Sequence, residues 1–362
     1  MITTRKSTQS DRRWRDWTRR WAVLLLSAVA ALALRLPARA EEPFRMASPL
    51  AGQLSRLNSR IVGGRIRVTS QNIGGQMSST ISGGGRVKES FDLDLTTAWP
   101  RLEYQASAKT FEIRLSVSAG EQVTIQRETS QETAPTRVSF KQVPEGGVEL
   151  VWRSGEQSTT LAGSTLWHVW LADPKLCNSE VLPLLKLLRP SFELDKQAEA
   201  LESALLVAAE QNWASRWPRW TELVAQLNDD QFARRRSADQ ALRSAGLAVV
   251  PFLQNIDEAQ LEPEQRSRVR RIVASLRRFN EEDTPDRAAL WLVGDPGIWL
   301  TLMGRDEVAL RRVAANELAE ILGHSIEFDP EGDASLRAGQ LARLKLEITQ
   351  PVPVRPAADA GS

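Results

Sequence analysis

The sequence predicts an α+β protein: an N-terminal antiparallel β domain, a sandwich or an open barrel, followed by an all-α domain. Three observations carry this. Apolar and polar residues alternate between Arg60 and Thr160, the period-two signature of half-buried strands. Near Gly163 the spacing becomes helical and stays so to Ile348. A segment of the second half also recurs 76 positions later, close to twice a two-helix repeat of about 40 residues.

The first 40 residues stand apart. Arg5, Lys6, Arg12, Arg13, Arg15, Arg19 and Arg20 form a basic stretch, Trp21 to Leu34 an apolar one, and Ala38-Arg39-Ala40 puts small residues where a signal peptidase reads. This is the layout of a secretory signal peptide, and its apolar run is short beside the roughly 20 residues of a membrane span. The expected location is exported: periplasmic, secreted or elsewhere in the cell envelope. Membrane attachment is expected only through an uncleaved leader. Residues 1–40 hold nine Lys and Arg but two Asp and Glu, so the rest of the chain has 38 basic and 43 acidic residues, a net charge of −5. The sequence pI of 8.8 therefore belongs mostly to the leader, and no nucleic-acid partner is expected, because phosphate binding needs basic surface on the fold itself.

Residues 41–60 are read as a flexible lead-in and 61–162 as the β domain. Phe111, Ile113, Leu115 and Val117 alternate with Glu112, Arg114 and Ser116. The pattern resumes at Val123 and Ile125 after an Ala119-Gly120 turn, then at Val138 and Phe140, then at Val148, Leu150 and Trp152. About six to eight antiparallel strands fit, with one face buried and the other in water. Gly83-Gly84-Gly85 reads as a hairpin turn. A phosphate loop would end in Gly-Lys-Ser/Thr and open a helix, whereas strand-like Phe91 to Leu95 follows here.

Residues 163–349 are read as helical. Ser164 is the expected N-cap for Leu166, Trp167, Val169, Trp170 and Leu171, and Asp173-Pro174 ends that helix. An apolar helix then runs from Val181 to Leu188, and a third from Lys196 to Gln211. Residues 350–362 are rich in Pro and Ala and are expected to be disordered.

The repeated segment centres on residues 228–279. Asp230, Ala233, Arg235, Arg236, Ala238 and Leu242 fall, 76 positions on, on Asp306, Ala309, Arg311, Arg312, Ala314 and Leu318. The order Asp230, Arg235, Ala238, Leu242, Gly246 resembles the first helix of a HEAT-like (HEAT/PBS-lyase-type) repeat. The resemblance is clearest over 228–279 and weaker over 304–323. It implies an α-solenoid in which that Asp and Arg cap and bridge neighbouring repeats while Ala and Leu pack between helices. Such stacks bind other proteins along a continuous surface.

Candidate sites are few. Cys177 is the single cysteine, and His168 and His324 are the only histidines. No intramolecular disulfide and no Cys/His zinc cluster can form. Neither histidine has a nucleophile and orienting acid in a recognisable pattern. No catalytic residue, cofactor or metal is expected. The arginines around 234–278, with Arg234, Arg266, Arg270 and Arg277 as the candidates, form a possible partner-binding face, set against a solvated face paired with nearby carboxylates. Trp213, Trp217 and Trp220 lie at i, i+4 and i+7, one helical face if the helix is continuous, whereas Pro218 suits the first turn of a new helix with Ser215 near its cap. The three tryptophans are a possible ligand platform, set against a core seam. The expected function is a non-enzymatic protein-binding or scaffolding role in the envelope, with another envelope protein as partner. The alternative is a carbohydrate- or cell-wall-binding module using tryptophan platforms.

Overall fold

The computed structural model describes Leu54 and residues 57–349, apart from 71–73, 84–86, 98, 131–134, 145, 211–215, 257 and 277–280; the expected leader and tail lie outside the described residues. The described part is α+β, with an antiparallel β region followed by helices. The strands are β1 (Leu57–Val62), β2 (Arg65–Ser70), β3 (Gln76–Gly83), β4 (Val87–Asp94), β5 (Arg101–Ala108), β6 (Phe111–Ser118), β7 (Gln122–Thr129), β8 (Thr136–Gln142), β9 (Val148–Ser154) and β10 (Gln157–Gly163). They exceed the six to eight expected from alternation. The expected lead-in boundary at residue 60 falls inside β1, whose Leu57 and Ser59 are both buried.

β3 to β10 form one unclosed sheet in simple meander order, and β1–β2 is a separate hairpin. The fold is thus a single open sheet with a hairpin beside it, rather than a sandwich of two comparable sheets. Strict alternation dictates the layering. Phe91, Tyr104, Leu115, Ile125, Phe140 and Leu150 are cross-strand neighbours in one row, and all are buried. The other face carries Arg101, Glu103, Gln105, Glu112 and Arg114, linked by exposed ion pairs and hydrogen bonds. Ala119 and Gly120 both have positive φ, which matches the twist of the β6–β7 hairpin.

The next buried row is Leu93, Leu102, Val117, Val123, Gln142 and Val148. Its one polar member, Gln142, is fully buried. Its Oε1 accepts from Ile66 N (2.9 Å), and its Nε2 donates to Ile66 O (2.8 Å) and Glu121 O (2.6 Å). A side-chain amide thus takes the place of a strand partner for β2 and fastens the hairpin to the sheet. Gln142→Leu keeps the volume but strands three backbone groups. It is expected to cost about 2–4 kcal/mol, read as a lower urea midpoint with unchanged slope. An unchanged midpoint would show that water replaces all three bonds.

Eleven helices follow among the described residues: α1 (Leu166–Ala172), α2 (Leu182–Leu188), α3 (Leu194–Glu210), α4 (Trp217–Gln226), α5 (Phe232–Ser244), α6 (Val250–Asn255), α7 (Pro263–Leu276), α8 (Pro285–Leu292), α9 (Pro296–Leu302), α10 (Val308–Leu322) and α11 (Ala334–Thr349). A short turn at Pro174–Leu176 and a π-helical turn at Cys177–Val181 join α1 to α2. No described helix is long and apolar enough to cross a membrane. α1 packs on β9 and β10, and the π-turn packs on β8, with Arg127 of β7 paired to Glu180. The boundary at Gly163 is therefore a change of secondary structure inside one compact unit, Pro49–Ser362.

The chain also closes on itself. Asp283, just ahead of α8, accepts from Gly63 N (2.9 Å), Gly64 N (2.6 Å) and Trp167 Nε1 (3.1 Å), while its own N–H donates to Ile61 O (2.8 Å). Nearby, Arg189 pairs with Glu282 and donates to Ser59 O (3.3 Å). The β1–β2 turn is thus held by the helical region.

The 76-residue echo is a repeated turn and helix. Arg235 Nη1 donates to the carbonyls of Asp229 (2.8 Å) and Asp230 (3.0 Å); Arg311 Nη1 donates to those of Arg305 and Asp306 (2.7 Å each). Ala238, Ala314, Leu242 and Leu318 are all fully buried. Gly246 and Gly323 both take positive φ at the end of the unit. The implied role of the Asp230 side chain is corrected. Asp230 contributes its carbonyl, and the neighbouring Asp229 carboxylate closes the turn by accepting from Gln231 N (2.8 Å) and Arg234 (3.2 Å).

Candidate functional site

The arginines nominated from sequence are occupied locally. Arg266 lies over the carbonyls of Glu258 (2.9 Å) and Leu261 (3.0 Å), and Arg270 pairs with Glu258. That hydrogen bond, with the charges of Arg270 and Arg266, holds the Glu258 carboxyl below its ordinary value against partial burial. Arg234 reaches Asp229 from an exposed position. Arg277 lies outside the described residues, as does Trp213. Trp220 is buried at 4% exposure. With Trp217 it brackets Phe252, at ring-centroid separations of 5.6 and 5.4 Å. The Trp217 contact is edge-on and the Trp220 contact tilted, and together they form an aromatic seam between α4 and α6.

One histidine sits in a chain of polar groups. His168 Nε2 is 3.2 Å from Asp295 Oδ2, and its Nδ1 is 2.9 Å from Thr165 Oγ1 and 3.5 Å from Ser164 Oγ. Carboxylate, imidazole and hydroxyl are thus in line, the connectivity of an acyl-transfer triad. Its setting is that of a brace. Thr165 rather than Ser164 is the N-cap of α1, and its hydroxyl turns to His168 instead of capping the helix. Thr165 is buried, and its Cβ lies so near Gly64 that a Cβ there would come within 2.6 Å. Asp295 caps α9 through Gly297 N (2.9 Å). Burial pushes the Asp295 carboxyl up, but the His168 charge, its hydrogen bond and the Gly297 and Ile298 amides outweigh this and hold it below the ordinary carboxylate value. The group ties the start of α1 to the start of α9. Buried Cys177, whose thiol is pushed up to about 12 by desolvation and by Asp173, is unsuited to nucleophilic work.

A concave site lies elsewhere among the described residues. A cleft of about 610 Å³ opens between the end of α1, the turn that follows it, α3, and the 304–307 turn before α10. Asp195, Glu199 and Glu202 of α3 line one wall at i, i+4 and i+7, which places them on one helical face. Asp173, Asp306 and Glu307 line the rest, with Lys175 and Arg305 as the cationic residues. Arg305 pairs with Glu202, and Asp173 spends one oxygen on Leu176 N (2.9 Å). The remaining carboxylates give the cleft a negative field. Among the described residues no group of three or more His, Cys, Asp or Glu side chains is placed to hold a metal ion.

No local sequence pattern marks this cleft. The spacing of Asp195, Glu199 and Glu202 was visible in the chain, but the opposite wall arrives from a turn more than 100 residues away. No family model, curated protein or solved structure matches this sequence.

Proposed function

We propose that the chain is an exported, non-enzymatic binding or scaffolding protein of the cell envelope whose HEAT-like helical half engages another protein. The cleft between α1, α3 and the 304–307 turn is the docking point, and the partner offers a segment rich in Lys and Arg. The observation that carries this is the face of α3 bearing Asp195, Glu199 and Glu202 on the wall of an open cleft. Carboxylates at such a rim steer a cationic segment and fix its register more than they add raw affinity. The paired turns at Arg235 and Arg311 support a repeat architecture, in which stacked helices offer an extended surface to a partner.

The test is fluorescence anisotropy of a labelled Lys/Arg-rich peptide against the full chain. Saturable binding is expected, weakening as salt screens the exposed charges. A combined Asp195→Asn, Glu199→Gln variant should bind about five-fold more weakly, the effect of two rim charges of about 0.5 kcal/mol each. Equal affinity in that variant would remove the cleft from the reading. Absence of saturable binding by any cationic peptide would remove the reading itself.

A further inference from the structure

Among the described residues β3 is the terminal strand of the eight-stranded sheet, with β4 as its strand neighbour. Edge strands present backbone donors and acceptors to any chain of matching geometry, and proteins ordinarily guard them with charge, proline or bulges. β3 reads Gln76-Met77-Ser78-Ser79-Thr80-Ile81-Ser82-Gly83. It has eight residues, none charged and none proline.

Its side chains sort cleanly between the faces. Met77, Ser79 and Ile81 pair with Leu93, Phe91 and Glu89 of β4, so they lie on the inner, apolar face of the sheet. Gln76, Ser78, Thr80 and Ser82 lie on the polar outer face and are exposed. Met77 and Ile81 are half-exposed, and Ser79 between them is exposed.

We infer that β3 is a self-pairing edge: two copies of this chain join antiparallel through β3 to make one continuous sheet. The pattern selects the register. A two-fold axis normal to the sheet keeps each face on its own side, so directly opposed residues must belong to the same face. Centred on Ser79, the axis sets Ser79 against Ser79 of the second copy and Met77 against its Ile81. Each of the two Met77–Ile81 pairs then joins the Leu93 row of one copy to the Glu89 row of the other, and the Ser79 pair joins the two Phe91 rows. On the outer face Ser78 meets Thr80 and Gln76 meets Ser82, all neutral hydrogen-bonding side chains. No like charges oppose each other, and cross-strand pairs of this kind each stabilise a ladder modestly. An interface that uses the same strand twice closes as a dimer. The opposite edge is differently placed. β10 runs directly into α1, and a Cβ on Gly163 would fall 2.2 Å from the His168 Cβ. This inference is independent of the acidic cleft, which lies on the helical half.

The test uses the full chain in sedimentation equilibrium and in thiol cross-linking. The native chain is expected to reach twice the monomer mass at high micromolar concentration. Ser79→Lys places two ammonium groups together on the two-fold axis. It should return the protein to monomer mass with its circular dichroism unchanged. Ser79→Cys should give a single disulfide-linked dimer on mild oxidation, because the one native thiol, Cys177, is buried. A native chain that stays monomeric overturns the inference. So does a dimer that Ser79→Lys leaves intact, or a Ser79→Cys dimer without the cross-link. Assemblies growing past two copies would overturn it in favour of β3 pairing with a different edge.

Discussion

Asp283→Ala is expected to lower folding stability by about 3–5 kcal/mol, the range for breaking a buried charged hydrogen-bond cluster. The carboxylate holds three N–H donors at once: Gly63, Gly64 and the indole of Trp167. All three lose their acceptor in the variant. Gly63 and Gly64 have φ of 60° and 70°, so the turn is available to glycine at little cost but is not held by its own conformational preference. Asp283 supplies the restraint. Through it the β1–β2 hairpin, α1 and the start of α8 are fixed together, so the loss should register as one cooperative shift in urea denaturation, accompanied by a changed tryptophan emission. Asp283→Asn keeps one acceptor oxygen but turns an amide N–H₂ toward the donors, and should fall between the two. The pH dependence has a defined sign. Desolvation raises the Asp283 carboxyl above its ordinary value of 3.8, against the pull of the Gly64 amide, the Trp167 indole, the Gly63 amide and the Arg287 charge. The folded state therefore binds the proton more tightly than the unfolded chain, and the native protein gains stability from this group as pH falls through the folded value toward 3.8. The gap between native and alanine chains should widen over that window and level off below it. A gap that narrows instead would mean that the carboxylate's hydrogen bonds outweigh its burial.

Different parts of this fold were legible in the chain to different degrees, for physical reasons. β6 is plain because Phe111 to Val117 alternates cleanly against polar neighbours, and Ile113, Leu115 and Val117 of the inward face are buried, with Phe111 at the strand's start half-buried. β1 was lost to the lead-in because one of its inward positions is Ser59, a polar residue at 2% exposure. Period-two reading finds apolar residues, not buried serines. The single-sheet topology was out of reach, since alternation gives each strand a face but not a partner. The repeat was legible because Arg, Ala and Leu recur within a dozen residues of each turn. The brace from Thr165 through His168 to Asp295 and the clasp at Asp283 were not, since each joins residues more than 100 positions apart through hydrogen bonds that no local pattern encodes. The same limit hid the cleft, one wall of which is a helix face and the other a distant turn.

The two arginines of the repeat should differ in consequence although their turns match. Arg311 is 3% exposed and donates three bonds, to the carbonyls of Arg305, Asp306 and Pro330, each at 2.7 Å. Arg235 is more open and lies on two carbonyls, those of Asp229 and Asp230, with Phe232 beside its guanidinium at 5.7 Å and Glu264 at 3.7 Å. Removing a buried guanidinium leaves carbonyls without a donor in a place water reaches poorly, so Arg311→Ala is expected to cost about 3–5 kcal/mol. In the Arg235 turn water can re-satisfy the carbonyls, and Arg235→Ala should cost about 1–2 kcal/mol. Lysine is the sharper probe. A single ammonium cannot span three carbonyls in the plane of a guanidinium fork. Arg311→Lys should therefore recover less than half of the alanine deficit, whereas Arg235→Lys should recover most of it. Urea midpoints of the four variants, measured on the full chain at one pH, read all of this directly. Equal costs at the two positions would mean that the turn geometry, shared by both, sets the energy. The expected inequality would mean that burial does, and that the Arg311 copy, which also holds the Pro330 loop against α10, is the point at which the end of the helical half is locked to the rest.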